Sequence, residues 1–156
     1  MYRAFTAELA RESGALITRL YGQPELAVET KADASPVTAA DRGAEELMRR
    51  RIAAAYPDHG IIGEEFGSER ADAEFTWVLD PIDGTNNFAL GIPHCAISLA
   101  LCELGEPIYG VVYDLSRRVL MQGGPGYGAF DGEKPIRVNT AAFTRETLVG
   151  FHSPFE

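Results

Sequence analysis

Positive charge is scarce in this chain. Lys and Arg number 14 against 23 Asp and Glu, a formal charge of −9. Nucleic acid and anionic membranes both require a basic face, so the balance argues against either as a partner. Long apolar runs are missing too. None approaches the roughly 20 residues of a membrane span, and the start Met1-Tyr2-Arg3-Ala4-Phe5 lacks a signal-peptide layout. Cysteine is limited to Cys95 and Cys102, both placed in one expected strand segment. Their odd spacing sends them to opposite faces, so they cannot bridge each other and read as reduced, buried thiols. Cytoplasm is the expected compartment. The remaining composition is ordinary for a soluble globular chain: 156 residues, 46% apolar and 24% charged, describe one domain, or part of a larger one, with enough chain for a core.

The most informative stretch runs from Trp77-Val78-Leu79 through Asp80-Pro81-Ile82-Asp83 to Gly84-Thr85-Asn86-Asn87-Phe88. The β-prone run Phe75 to Leu79 reads as a buried strand. Proline has no N–H for a sheet, so the Asp80-Pro81 step is expected to end it. Two carboxylates at the mouth of a buried strand are costly unless a cation meets them. A hard divalent metal is the usual solution, because it prefers carboxylate, carbonyl and water oxygens. Three other readings compete. A plain turn is one, since Asp, Pro and Gly are turn residues. A calcium loop of the EF-hand type needs ligands at alternate positions and a final Glu, where this chain has Gly91. Phosphatases that attack with an Asp-x-Asp-x-Thr aspartate place their carboxylates one residue closer than Asp80 and Asp83.

Around this centre the pattern predicts two helices followed by strands. Phe5, Leu9, Leu16, Ile17 and Leu20 recur at helical spacing over residues 2 to 21, and Gly22-Gln23-Pro24 closes that helix. A polar loop from Lys31 leads to Thr38, an N-cap, with Asp41 placed as the acidic partner of a capping box. Ala44, Leu47, Met48, Ile52 and Ala55 mark the buried face of the second helix, and Arg49, Arg50 and Arg51 suit its C-terminal dipole. After a turn that leaves His59 in solvent, Ile61-Ile62 form a short strand ending at Gly63-Glu64-Glu65. Ser68 to Glu74 reads as a mobile excursion. Beyond the central stretch, Cys95 to Leu104, Ile108 to Tyr113, Val119 to Gln122, Pro135 to Val138 and Leu148 to Phe151 read as strands. Gly105-Glu106-Pro107 and Asp131-Gly132 supply hairpin turns. The glycine-rich Gly123 to Gly128 lacks the ending of a nucleotide loop and reads as a bend between strands. Two helices packed on a mostly antiparallel sheet is an α+β layout.

Laid out in this order, the residues resemble the inositol monophosphatase family of Mg²⁺-dependent, lithium-sensitive sugar-phosphate phosphatases. Val37-Thr38-Ala39-Ala40-Asp41 resembles its Val-Thr-x-x-Asp, Gly63-Glu64-Glu65 its Gly-Glu-Glu, and Asp80 to Thr85 with Asn87-Phe88 its signature. The resemblance covers about residues 1 to 151 and implies roles for these positions. Glu64 and Asp80, with the Ile82 carbonyl, would hold a first Mg²⁺, and Asp80 with Asp83 a second. Thr85 and Asp41 would orient the attacking water, with Glu65 close to them, and the N–H groups of Gly84 and Thr85 would receive the phosphate. Family members continue into a second α/β domain whose Trp-Asp motif completes the second metal site. Nothing here matches it, so residues 1–156 are read as the N-terminal metal-binding domain alone.

The expected function is therefore hydrolysis of a small phosphate monoester, impaired by the missing half, with a homodimer as the expected assembly. A phosphate dianion would be repelled by Asp41, Glu64, Glu65, Asp80 and Asp83 unless Mg²⁺ reverses the local field. No Ser, Cys or His nucleophile pairing stands out, which favours direct attack by water. Alternatives are a non-catalytic metal- or phosphate-binding fragment, and a phosphatase of histidinol phosphate or fructose 1,6-bisphosphate.

Overall fold

A computed structural model describes residues 2–21, 23, 28–30, 36–142 and 144. The first helix, α1, spans Tyr2–Leu20. A small antiparallel pair follows, β1 (Val28–Thr30) with β2 (Pro36–Thr38), the latter within the stretch the sequence suggests is only a polar loop. Helix α2 spans Ala39–Ala55. The strands β3 (Gly60–Gly63), β4 (Gly67–Glu69) and β5 (Phe75–Asp83) come next, then a short helix α3 (Thr85–Ala89). Strands β6 (Ala96–Glu103), β7 (Glu106–Asp114), β8 (Val119–Gly124), β9 (Gly128–Asp131) and β10 (Lys134–Ile136) complete the described chain. The strand expected over Leu148 to Phe151 lies outside the described residues.

Eight strands form one sheet in the order β10-β9-β8-β7-β6-β5-β3-β4. The expected α+β architecture is what the structure has. Every neighbouring pair is antiparallel except β3 with β5, which run parallel with Gly63 opposite Leu79. That exception matters most for function. Parallel strands bring their carboxyl ends to the same edge, so the residues following Gly63 and Leu79 emerge side by side. The Glu64 N–H donates to the Leu79 carbonyl at 3.2 Å and fixes this register. Helices α1 and α2 cover one face, burying Leu9, Ile17, Met48 and Ile52 against Trp77, Leu79, Ile97 and Leu101.

Several expectations need correction. Strand β5 does not stop at Asp80-Pro81 but continues to Asp83. Asp80 pairs with Ser98 and Asp83 with Ala96, so Pro81 and Ile82 together oppose the single residue Ile97. Proline sits at a bulge, where the ladder is already interrupted and its missing N–H costs little. Ser68 to Glu74 begins as the edge strand β4. Ala55 is exposed, and the buried face of α2 carries Glu45. None of the arginines lies in the last turn of α2; Arg49 pairs with Glu45, and Arg51 with Glu8 and Glu12 of α1. Cys95 precedes β6 and Cys102 lies buried within it, both as free thiols.

His59 is half-buried and not a solvent-exposed turn residue. Its ring stacks between Tyr56 (4.8 Å between centroids) and Phe75 (5.1 Å). Its Nδ1 accepts the Trp77 indole N–H at 3.0 Å, which places the neutral ring's own proton on Nε2. Burial holds the imidazolium below its ordinary range, only partly opposed by Asp58. As pH falls below about 6.5, the unfolded chain takes up this proton before the folded one does, and the stability contributed by neutral His59 is lost. Chemical denaturation of wild type and His59→Gln at pH 8 and pH 5.5 is expected to show the gap between them narrowing at the lower pH. An unchanged gap would contradict this sign.

Candidate active site

Helix α2 starts with both halves of the capping box. The Thr38 hydroxyl accepts from the Ala40 N–H at 3.1 Å, and Asp41 Oδ2 accepts from the Thr38 N–H (2.8 Å) and hydroxyl (2.6 Å). Asp41 is fully buried, and its other oxygen, Oδ1, lies 3.3 Å from the Thr85 hydroxyl. Burial raises the Asp41 carboxyl, against the lowering effect of its bonds to Thr38 and Thr85. The Thr85 hydroxyl is also 2.9 Å from the Ile82 carbonyl. A hydroxyl has one proton and two lone pairs, so Thr85 can donate to either acceptor and still accept a hydrogen bond from a water.

Gly84 makes the turn that brings Thr85 into place. Its φ of +92° is left-handed, and a Cβ there would stand 2.9 Å from the His94 carbonyl. The Asn87 side-chain amide donates to the same carbonyl at 2.9 Å and clamps α3 to the following turn. Beside this corner is an open cavity of about 360 Å³, lined in part by Asp83, Gly84, Asn87, His94 and Asp114.

The acids on the strand ends meet at the same edge. Asp80 stands within hydrogen-bond reach of Glu64, and its carboxyl is pushed up to about 7. Burial is the largest cause, followed by the Glu64 hydrogen bond and the charges of Glu64 and Asp83. Asp80 Oδ1 is a buried oxygen with no protein partner. An orphaned oxygen on a carboxylate that has other carboxylates nearby signals that something positive belongs there.

A family model described as the inositol monophosphatase family matches residues 2–154. The chain belongs to the inositol monophosphatase family. It is 39% identical over 144 residues to the histidinol-phosphatase of Chlorobaculum parvum, covering 92% of this chain and 56% of that protein. It is 36% identical over 149 residues to the Nus factor SuhB of Pasteurella multocida, covering 94% and 56%. Among solved structures, the IMPase of Thermotoga maritima aligns with a TM-score of 0.83 at 36% identity, over 90% of this chain and 55% of that one. The chain therefore spans a little over half the length of these relatives, and its fold is that of the N-terminal part of the inositol monophosphatase structures.

Of the residues singled out from the sequence, Asp41, Thr85 and the Ile82 carbonyl form one hydrogen-bonded group, and Glu64 and Asp80, with Asp83 nearby, form another. Glu65 is half-buried, its backbone held from α2. Glu45 is the residue the sequence reading missed. It is fully buried and accepts from the Glu65 and Phe66 N–H groups at 2.7 and 3.2 Å. The local sequence offers only Arg49 one turn later, a pairing that an exposed helix face shows equally well. Asp114, also near the cavity, caps its own turn by accepting from Ser116 and Arg117.

Among the described residues no three Asp, Glu, His or Cys side chains close around one ion by themselves. Mg²⁺ does not require that. It is typically held by one or two carboxylates, with waters and substrate oxygens completing the shell. Glu64 and Asp80, backed by Asp83, have that chemistry, and the unpartnered Asp80 oxygen supplies a free donor.

Without a cation, Asp80 weakens the fold at neutral pH. Its folded carboxyl holds a proton to about pH 7, whereas the unfolded one releases it near the ordinary aspartate value of 3.8. The stability it contributes is complete below about pH 4 and is lost as pH rises through 7. Metal-free Asp80→Asn is expected to melt a few degrees above wild type at pH 8 and to match it more closely at pH 4.5. Differential scanning calorimetry in chelator checks this, and a lower melting point at pH 8 would contradict it.

Proposed function

We propose that this chain carries the metal-binding half of a Mg²⁺-dependent phosphomonoesterase that hydrolyses a small phosphate ester by direct attack of water. The observation that carries the reading is the juxtaposition at one sheet edge: Asp41, Thr85 and the Ile82 carbonyl stand next to the acids Glu64, Asp80 and Asp83. Family relatives named histidinol-phosphatase and inositol-1-monophosphatase support the reaction class.

In this reading Glu64, Asp80 and the Ile82 carbonyl would hold one ion, and Asp80 with Asp83 a second. Mg²⁺ held there would supply polarisation of the phosphoryl group, a lowered pKa for water and charge to steady the leaving oxygen. The chain's own groups do the positioning. Thr85 accepts a hydrogen from the attacking water while donating its own toward Asp41 or Ile82. The buried Asp41, raised above the ordinary carboxylate range, is suited to receive a proton through Thr85. Glu65, next to Glu64 in the chain, would be a further acceptor for water. The N–H groups of Gly84, the N-cap of α3, and Thr85, its first residue, have no intrahelical acceptors and would receive the phosphate. Inositol monophosphate and histidinol phosphate are the substrate candidates. A homodimer is the assembly we expect.

Phosphate release from both esters, measured on the chain together with a C-terminal half supplied from a family relative, tests the reading. Release is expected to depend on Mg²⁺, to fall with lithium, and to drop by about 10²–10⁴ in kcat for Thr85→Ala with little change in KM. Mg²⁺-independent release, or a Thr85→Ala variant with wild-type kcat, would overturn it.

A further inference from the structure

Glu45 is a buried carboxylate that the proposed chemistry does not use. Its two oxygens are fully engaged: Oε2 accepts from the Glu65 N–H at 2.7 Å, and Oε1 accepts from the Phe66 N–H at 3.2 Å and from Arg49 Nε at 2.8 Å. With three donors on one carboxylate, Glu45 is poorly placed to ligate an ion itself. The charge it buries is met by Arg49 one turn along α2, which is itself mostly buried. Arg49 also reaches past Glu45 to the Gly67 carbonyl and lays its guanidinium over the Phe66 ring, 6.0 Å from the centroid. The pair thus grips the turn between β3 and β4 at Glu65, Phe66 and Gly67.

Glu64 lies just ahead of the gripped residues. Its own N–H is bonded to Leu79, the residue before Asp80. The backbone carrying Glu64 is therefore pinned from α2 on one side and from β5 on the other. Gly63 belongs to the same device, because a Cβ at that position would fall inside the Glu45 carboxylate.

Resting on the reading that Glu64 and Asp80 hold a divalent cation, we propose that Glu45 and Arg49 are positioning residues that set the affinity for that cation by fixing the backbone around Glu64. Asp41 and Glu45 lie four residues apart on α2, so one helix face serves both halves of the site. Asp41 reaches Thr85, and Glu45 reaches the acidic turn.

The test is calorimetric titration of Mn²⁺ into the metal-free chain together with amide hydrogen exchange. The variants are Glu45→Gln combined with Arg49→Met, which leaves no stranded buried cation, and separately Gly63→Ala, which retains every charged side chain. Both are expected to bind Mn²⁺ about 10–100-fold more weakly than wild type. Both should also lose protection at the Glu65 and Phe66 amides while β5 and β6 keep theirs. A purely structural role would lower the melting point of the folded variants but leave Mn²⁺ affinity unchanged, and that result overturns the proposal. Wild type that takes up no Mn²⁺ would sink both the functional reading and the proposed effect on affinity. Protection at Glu65 and Phe66 then decides separately whether Glu45 grips the turn: undiminished protection in the variants shows that it does not.

Discussion

Two carboxylates buried on one face of α2 hold the rest of this structure in relation to its acidic edge. Burying a carboxylate is costly unless donors meet it; here each has local donors, Thr38 for Asp41 and Arg49 for Glu45, and further donors from the segments that carry the other acids. Asp41 takes the Thr38 N–H and hydroxyl on its own strand-to-helix corner and approaches Thr85 across the site. Glu45 takes the amides of Glu65 and Phe66. Each bond is modest alone. Their value lies in specificity, because a shift of either segment would strand a buried charge. The parallel pairing of β3 and β5 supplies the complementary constraint by bringing Glu64 and Asp80 out at the same edge.

In the proposed reading, this arrangement would reconcile an acidic chain with an anionic substrate. The net charge of −9 would disfavour a phosphate dianion anywhere on a featureless surface. Concentrating Glu64, Asp80 and Asp83 at one edge instead makes a local demand for cations. The orphaned Asp80 oxygen and the raised Asp80 carboxyl are two expressions of the same unmet demand. The fold accepts a cost at this edge that a bound cation would remove. On the opposite side, the sheet leaves Ile62, Val78 and Val112 more than a third exposed within the described residues, while the helix-covered face is closed.

Much of this could be read from residue patterns, and the failures have physical causes. The capping box was legible because Thr38 and Asp41 are local partners with fixed spacing. So was the central strand, because an unbroken β-prone run precedes the aspartates. The strand's true end was not, since whether proline stops a strand or sits at a bulge depends on the neighbouring strand β6. His59 was misplaced because its burial comes from Tyr56, Phe75 and Trp77, assembled from both sides of the turn and from β5. Glu45 escaped notice for a related reason. A glutamate in a helix with charged neighbours reads as surface, and its partners at Glu65 and Phe66 lie 20 and 21 residues away. Long-range pairing cannot be inferred from helical period alone. The resemblance to the inositol monophosphatase family located the acids without it, but said nothing of what holds them.

The central claim is that α2 and the parallel strand pair gather Glu64 and Asp80 into a site for a hard divalent cation. Anomalous diffraction from crystals of the protein grown with Mn²⁺ tests it most directly. The account predicts an anomalous peak in contact with carboxylate oxygens of both Glu64 and Asp80, the Asp80 oxygen being the one left without a protein partner. A well-ordered structure with manganese bound elsewhere, or with none at that edge at saturating concentration, would contradict it.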